Sequence, residues 1–573
     1  VPILFQHFAA GVNAATHPRL LVDGALASLV NGTVSSGFCD IRPPFIEHEV
    51  SFLDNKAPHF FGRGVIQGRG FYRCEAGDAI IFAADGRLFR LSLDNDSLEQ
   101  IGGKCFSIHS KRVEFCQRGP YLIAQDGESP PVIIRHKTVT QGTHPTRSVP
   151  CGTIMAEGWG RLAVARDDKI FFSNHIADPN VSNTGVSLNS IAKELLFTED
   201  TAYFKNIRYF RVPESSGKIV GMAFTPSLNG DGDLGPLAVF CERSVWLYNT
   251  RVAREQWGEQ DIASNPLPHI GACSPDSIVV RGNDVIFSDQ TGRIQQMRIA
   301  VRRNDDARLK SYDSNVWPII ERDHKTHLNH RLTLHLPERH TLIAVHPEVV
   351  IRDDRRVAVR HRALLALNET PTVEGAQAVW DGEWTGIHPV AMITAPYRGE
   401  QTAFFVSLDS DGVNRIYRLG GRGPDQIQGR SVSQPMTATT RADTDQQPFK
   451  KKSATAALVN VGNAVGPVRI KGTWMPDGKH LPWCQSDHNV ETCFNGGFGE
   501  PQDLPRLTLP APPRHPFSSA QVSITITGRA RLEEIAIETE QLSTPNNVAP
   551  GGCVTTHCRS VSECVKPYDL SQA

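Results

Sequence analysis

Residues 79–93 read Ala79-Ile80-Ile81-Phe82-Ala83-Ala84-Asp85-Gly86-Arg87-Leu88-Phe89-Arg90-Leu91-Ser92-Leu93: an apolar run, an Asp-Gly pair, then alternating side chains. Asp-Gly supplies the positive φ of a tight two-residue hairpin turn, so the stretch predicts two antiparallel strands. The theme returns at Val132–Arg135, Leu162–Ser173, Leu237–Asn249, Asp284–Arg298 and Thr402–Leu419. Many hairpins at loose spacing, with no long amphipathic helix over 46–425, predict an all-β body. The simplest form is a β-propeller of about six to seven blades.

Flanking regions differ in composition. Residues 1–45 are punctuated by Gly11, Gly24, Gly32 and Gly37 and are expected to close onto the propeller. A composition shift at Gly420-Gly421-Arg422-Gly423-Pro424 runs to Lys450-Lys451-Lys452, which reads as a solvated linker. Over 426–542 the stretches Thr455–Val461, Val468–Trp474, Gln521–Thr527 and Leu532–Glu538 suffice for a small β-sandwich. Residues 543–573 are rich in Pro and Gly and read as an extended arm that clasps a neighbour.

At 573 residues, 40% apolar and 21% charged, the chain is an ordinary globular protein with room for more than one domain. A formal net charge of −1 gives no basic field for nucleic acid. No stretch nears the ~20 apolar residues that cross a bilayer, and Val1–Phe5 has no basic leader. Seven of the 12 cysteines lie early, mostly among strand residues, where a reduced thiol acts as a small hydrophobe. Cys484, Cys493, Cys553, Cys558 and Cys564 lie in loop-rich sequence and are the candidates for disulfides within or between subunits. Zinc fits them poorly, since no CxxC pair is present.

Few motifs point to chemistry. His324, His327, His330, His335 and His340 are dense but lack a standard ligand spacing, and read as surface or pore-lining residues. Asn229–Asp233 starts like a calcium loop but lacks the later glycine and closing acid. Gly68-Arg69-Gly70 and Gly158-Trp159-Gly160 read as turn glycines, without a phosphate-loop lysine. Asp167-Asp168 and Asp353-Asp354 read as turn residues. Asn31, Asn95, Asn180 and Asn368 match the glycosylation triplet, a pattern that chance produces readily. No catalytic residue, metal site or cofactor is expected.

Three passages together carry a resemblance. They are Gly119–Pro131 leading through Val149–Met155 into Gly160–Ala165; Gly235–Trp246 with Gly271 and Ser277–Val285; and His361–Asn368 with Trp380–Gly386. As a set they resemble propeller-bearing virion proteins of tailed bacteriophages, of the tail nozzle, tail tubular and neck or collar types. Gly11-Val12-Asn13 and the run from Gly24 to Asn31 are similar to the Gly-Asn opening segment of that group. The likeness covers roughly residues 5–425. It implies a non-enzymatic structural subunit of the virion, set around the tail axis and contacting other copies of itself and portal, adaptor, tail or neck proteins. Viral DNA would pass nearby without specific binding, and no membrane is involved. Two alternatives come from the fold. One is a carbohydrate- or receptor-binding spike using Trp380 and Trp384, which otherwise pack between blades. The other is a glycosidase with paired acids among Asp85, Asp289 and Asp411, which otherwise form turns. Ser407-Leu408-Asp409-Ser410-Asp411-Gly412 is the nearest approach to a sialidase box and lacks its Trp.

Overall fold

The computed structural model describes residues 3–53, 57–141, 149–175, 195–197, 209–226, 234–251, 257, 262–282, 284–305, 311–351, 356–370, 378–420, 431–432, 434–445, 450–489, 507–509 and 515–542. Six small sheets stand in a ring and form a β-propeller. Its first blade comprises Ile66–Tyr72, Ala79–Ala84, Arg87–Ser92 and Ser97–Gly102, with Ser51–Phe52 added in parallel outside. Blades two to four start at Glu114–Arg118, Ile154–Gly158 and Ile219–Pro226, and each has four strands. Blade five has three, Val279–Arg281, Asp284–Ser288 and Ile294–Gln296, and then passes into the helix Met297–Asp305. Blade six consists of Pro389–Tyr397, Glu400–Leu408 and Asn414–Leu419, and is completed by Phe45–Glu47 and Ser431–Val432.

The turn chemistry explains the blades. Ala84 pairs with Arg87, and between them Asp85 and Gly86 hold φ of 48° and 72°. Two consecutive positive φ values twist the turn in the sense the strands require. Asp126 serves the corresponding turn of blade two by accepting from the Glu128 and Ser129 amides at 3.0 and 2.6 Å. Asp289 does so in blade five, accepting from Thr291 N and Arg293 N.

A second, 14-stranded sheet curls into a half-barrel. Its path runs Thr333–Leu336, His340–Ile351, Val357–Asn368, Val379–Trp384, Ala25–Val30, Met436–Thr440, Ala520–Gln541, Lys452–Pro476, Leu481–Asn489. The first of these strands packs between the leading strands of blades five and six, so one end of the large sheet is wedged into the ring.

The C-terminal β-region takes the form of this curl. Thr455–Val461 and Val468–Trp474 are halves of one strand, Lys452–Pro476, and the later two stretches are halves of Ala520–Gln541. The two long strands pair throughout, with register shifts around Gly462–Val465. Gly528 has φ of 102°, and a Cβ there would lie 2.2 Å from the Pro467 carbonyl oxygen. A glycine is therefore needed where the ribbon bends. Trp474, Phe517, Ile524, Ile526 and Leu532 are buried inside, with Phe5 and Phe8 from the N-terminal segment.

That segment divides its strands between the two bodies. Phe45–Glu47 completes blade six. Ile3–Gln6 and Phe38–Ile41 instead pair with Ala520–Gln541, and Ala25–Val30 with Met436–Thr440. Lys452 is no solvated linker residue: it is fully buried, and its Nζ donates to the Thr444 carbonyl.

Candidate functional site at the propeller axis

Gly68 and Gly70 belong to the first strand of blade one, a correction to their reading as turn glycines. A Cβ on Gly68 would lie 2.0 Å from the Val113 carbonyl oxygen, and one on Gly70 2.4 Å from the Phe115 Cβ. Their missing side chains let blades one and two approach closely. Between them Arg69 donates from Nε to the Met392 carbonyl of blade six at 2.8 Å and from Nη1 to Asp276 Oδ1. Asp276 sits in the short turn Pro275–Ser277 that leads into blade five, capped by Ser274 Oγ. Arg112, just ahead of blade two, donates to both Asp276 oxygens from Nε at 3.1 Å and Nη2 at 3.2 Å. It also pairs with Glu114.

One carboxylate thus gathers two guanidiniums and ties blades one, two, five and six. Burial works to raise the Asp276 carboxyl, but Arg112 and Arg69 outweigh it and hold it well below the usual carboxylate range. Burial dominates at Glu114 and pushes that carboxyl up despite Arg112. With both Asp276 oxygens engaged, the cluster acts as an electrostatic tie through the ring centre.

Two further polar networks lie in the large sheet. Asp381 accepts from Thr33 Oγ1, from the Val34 amide at 2.9 Å and from His340 Nε2 at 3.1 Å. Thr33 Oγ1 also lies 3.2 Å from the same His340 nitrogen. A relay needs hydroxyl and carboxylate on opposite ring nitrogens, so this is a buried clamp on the N-terminal segment. In the other network, His346, with φ of 59°, joins Asp323 through Nδ1 at 3.0 Å and Glu383 through Nε2 at 2.8 Å. Hydrogen bonds to these carboxylates raise it to about 9. Arg331 Nη2 completes that network on Asp323 at 2.8 Å.

Among the histidines read as surface or pore-lining, His340 is buried, and half-buried His335 pairs with Glu369. The difference arises because both lie in strands of the large sheet, where the N-terminal segment and the Asn368–Glu369 turn cover them. His324 is exposed beside a short helical turn. Among the described residues no group of three or more candidate ligands is placed to hold a metal.

The expected cysteine cluster is not brought together in the described residues. Cys484 lies on Leu481–Asn489 opposite Gly472, while Cys493, Cys553, Cys558 and Cys564 lie outside them. Cys39, Cys74, Cys105, Cys116, Cys151, Cys241 and Cys273 are free thiols. Asp411 is bound by Arg415 Nη2 at 2.5 Å and Asp85 by Arg356, so both are engaged at their turns. Trp384 is fully buried, donating to the Gly32 carbonyl at 2.8 Å, and Trp380 is buried against Tyr312. Asn31 and Asn368 are also buried, in hydrogen bonds to Thr385 and Val34, which leaves no room for a glycan. The calcium-like run, Asn180 and Asp353-Asp354 fall outside the described residues.

Arg112 and Asp276 carried no signal in the sequence, because 163 intervening residues separate a lone Arg from a lone Asp. Only the glycines flanking Arg69 hinted at a close approach.

Fold and site define a class: a six-bladed β-propeller with a tied axis, carrying a curled half-barrel sheet built from segments far apart in the chain. No protein-family model matches the sequence, and no curated protein is significantly similar to it. Among solved structures the chain is similar to a chain in "Crystal Structure of Mitotic Checkpoint Complex", at 10% identity and a TM-score of 0.34, covering 66% of this chain and 94% of that one. A chain in "Crystal structure of BBS1N in complex with ARL6DN, soaked with mercury" aligns at 10% identity and 0.35, over 68% and 100% of the two chains. The computationally designed Ika8 protein aligns at 8% and 0.30, over 66% and 100%.

Proposed function

We propose that the chain is a non-enzymatic structural subunit of a tailed-phage virion, in the nozzle, neck or collar region. The resemblance of Gly119–Ala165, Gly235–Val285 and His361–Gly386 to that group motivates the reading. The observation that best supports it is the pairing of a disc tied through its centre with a sheet that joins Ile3–Gln6 to Ala520–Gln541. Such a body transmits load, because pulling on Ile3–Gln6 or on Ala520–Gln541 stretches a continuous hydrogen-bonded sheet. On this reading viral DNA passes near the disc without specific binding.

Mass photometry and negative-stain imaging of the purified protein test this, with purified particles analysed in parallel by mass spectrometry. A ring of fixed symmetry, together with stoichiometric presence in particles, is the expected result. Absence from particles overturns the reading.

A further inference from the structure

Among the described residues the half-barrel does not close beside the strand Ile3–Gln6. That strand pairs with Glu534–Ile537 along one edge, and no strand lies on its other edge among the described residues. A cavity of about 320 Å3 opens there, lined by Leu4, Phe5 and Phe8 on one side and by Asp23, Ala25 and Arg441 on the other. Just ahead of Asp23, Leu20 and Val22 stand 75% and 67% exposed, and Leu4 is 41% exposed. On its own wall Asp23 pairs with Arg441 at 2.7 Å, while Leu4, Phe5 and Phe8 make the other wall apolar, and an unpaired edge beside an apolar wall is the arrangement that accepts a strand from elsewhere.

We propose that the C-terminal segment of a neighbouring copy fills this gap, adding Val554-Thr555-Thr556-His557 along Ile3–Gln6. The inference rests on the reading of the chain as an assembling subunit and names the surface through which it assembles. Three observations select this occupant. The chain continues for residues 543–573 beyond the end of Ala520–Gln541, and that end points away from the cavity, past Ile3. Residues 543–553 include Pro545 and Pro550, which favour an extended spacer over a tight return. Fully extended, they reach about 36 Å, enough to leave their own subunit. The four-residue candidate strand is β-branched at three positions and matches the length of the open edge. Backbone hydrogen bonds would supply the pairing, and Val554 an apolar contact with exposed Leu4.

The test uses the full chain with a benzophenone amino acid at Val22, assembled from a mixture of 14N and 15N copies. Irradiation and peptide mapping should give mixed-isotope cross-links to residues 548–561. Same-isotope cross-links alone would mean that each copy covers its own edge, and would overturn the proposal. Cross-links elsewhere, or none, would overturn it too. In a second arm, Leu20→Asp with Val22→Asp changes two exposed side chains. Self-association should weaken at least tenfold with the melting temperature unchanged, and unchanged association would overturn the proposal. Mixed-isotope cross-links in a protein absent from particles would sustain this surface while removing the virion reading. Presence in particles without the cross-link would do the reverse.

Discussion

The blades and the curled sheet solve the same pairing problem at opposite ranges. In blade one, Ala84 turns directly onto Arg87, whereas in the curled sheet Ile3 pairs with Ile537. A blade gains its contacts soon after its residues meet, at little loop-closure cost. The curled sheet must first bring together segments from both ends of the chain. The ring therefore has local cohesion and needs a tie across its axis, while the sheet is cooperative by construction.

The sharpest way to break that contrast is to cut the tie. Asp276→Ala leaves Arg69 and Arg112 facing each other without their shared carboxylate. Removing one partner of a buried ion pair costs about 3–5 kcal/mol. Urea denaturation should show that loss, and hydrogen exchange should rise at the first strands of blades one, two and five together. An unchanged midpoint would mean that the hairpins hold the ring unaided.

Core truncation probes the other side. Trp474→Ala empties a fully buried site against Phe517 and should cost about 3–5 kcal/mol. Exchange should then rise jointly at Ile3–Gln6 and Ala520–Gln541, although residue 474 lies in neither. Phe82→Ala in blade one should raise exchange only in that blade and its neighbours. Equal spread from both sites would erase the distinction.

Smaller effects sharpen it. Gly68→Ala should cost about 1–3 kcal/mol by pushing blade two away. Gly103→Ala, where a Cβ meets nothing within 4 Å, should stay near neutral in the same thermal scan. The ionisable groups set a stability optimum in pH. His346 is raised to about 9, so its contribution is complete below the ordinary histidine value near 6.5 and is lost as pH rises toward 9. At its partly open site, solvent screening limits this to about 1–2 kcal/mol. Burial lowers His361 and His48 to about 4, so their share is complete above 6.5 and lost as pH falls toward 4. His346→Gln should flatten the alkaline side of a denaturation-against-pH profile and leave the acid side in place.

The same contrast decides what the sequence revealed. Asp85-Gly86 and its counterparts exposed the ring, because a hairpin is written in consecutive residues. The four late strand stretches were legible individually, but their fusion into two long ribbons was not. The bend at Gly528 resembles a turn in sequence and is distinguished only by the backbone packed against it. Lys452 read as linker because nothing nearby announced that Thr444 would accept from it. The axis site was nearly invisible, since its members acquire meaning only when blades one, two and five meet.

Phe45–Glu47 and the strands before it have a consequence for biosynthesis. They leave the ribosome well before the strands they pair with. Blades one to five can close in order of emergence. The opening residues, with apolar side chains at Ile3, Phe5 and Phe8, stay uncovered until Asn414–Leu419 and Ala520–Gln541 have been made. The nascent chain thus carries these apolar side chains uncovered while all the blades are made. It is in this interval, rather than after folding is complete, that a chaperone would have most to protect.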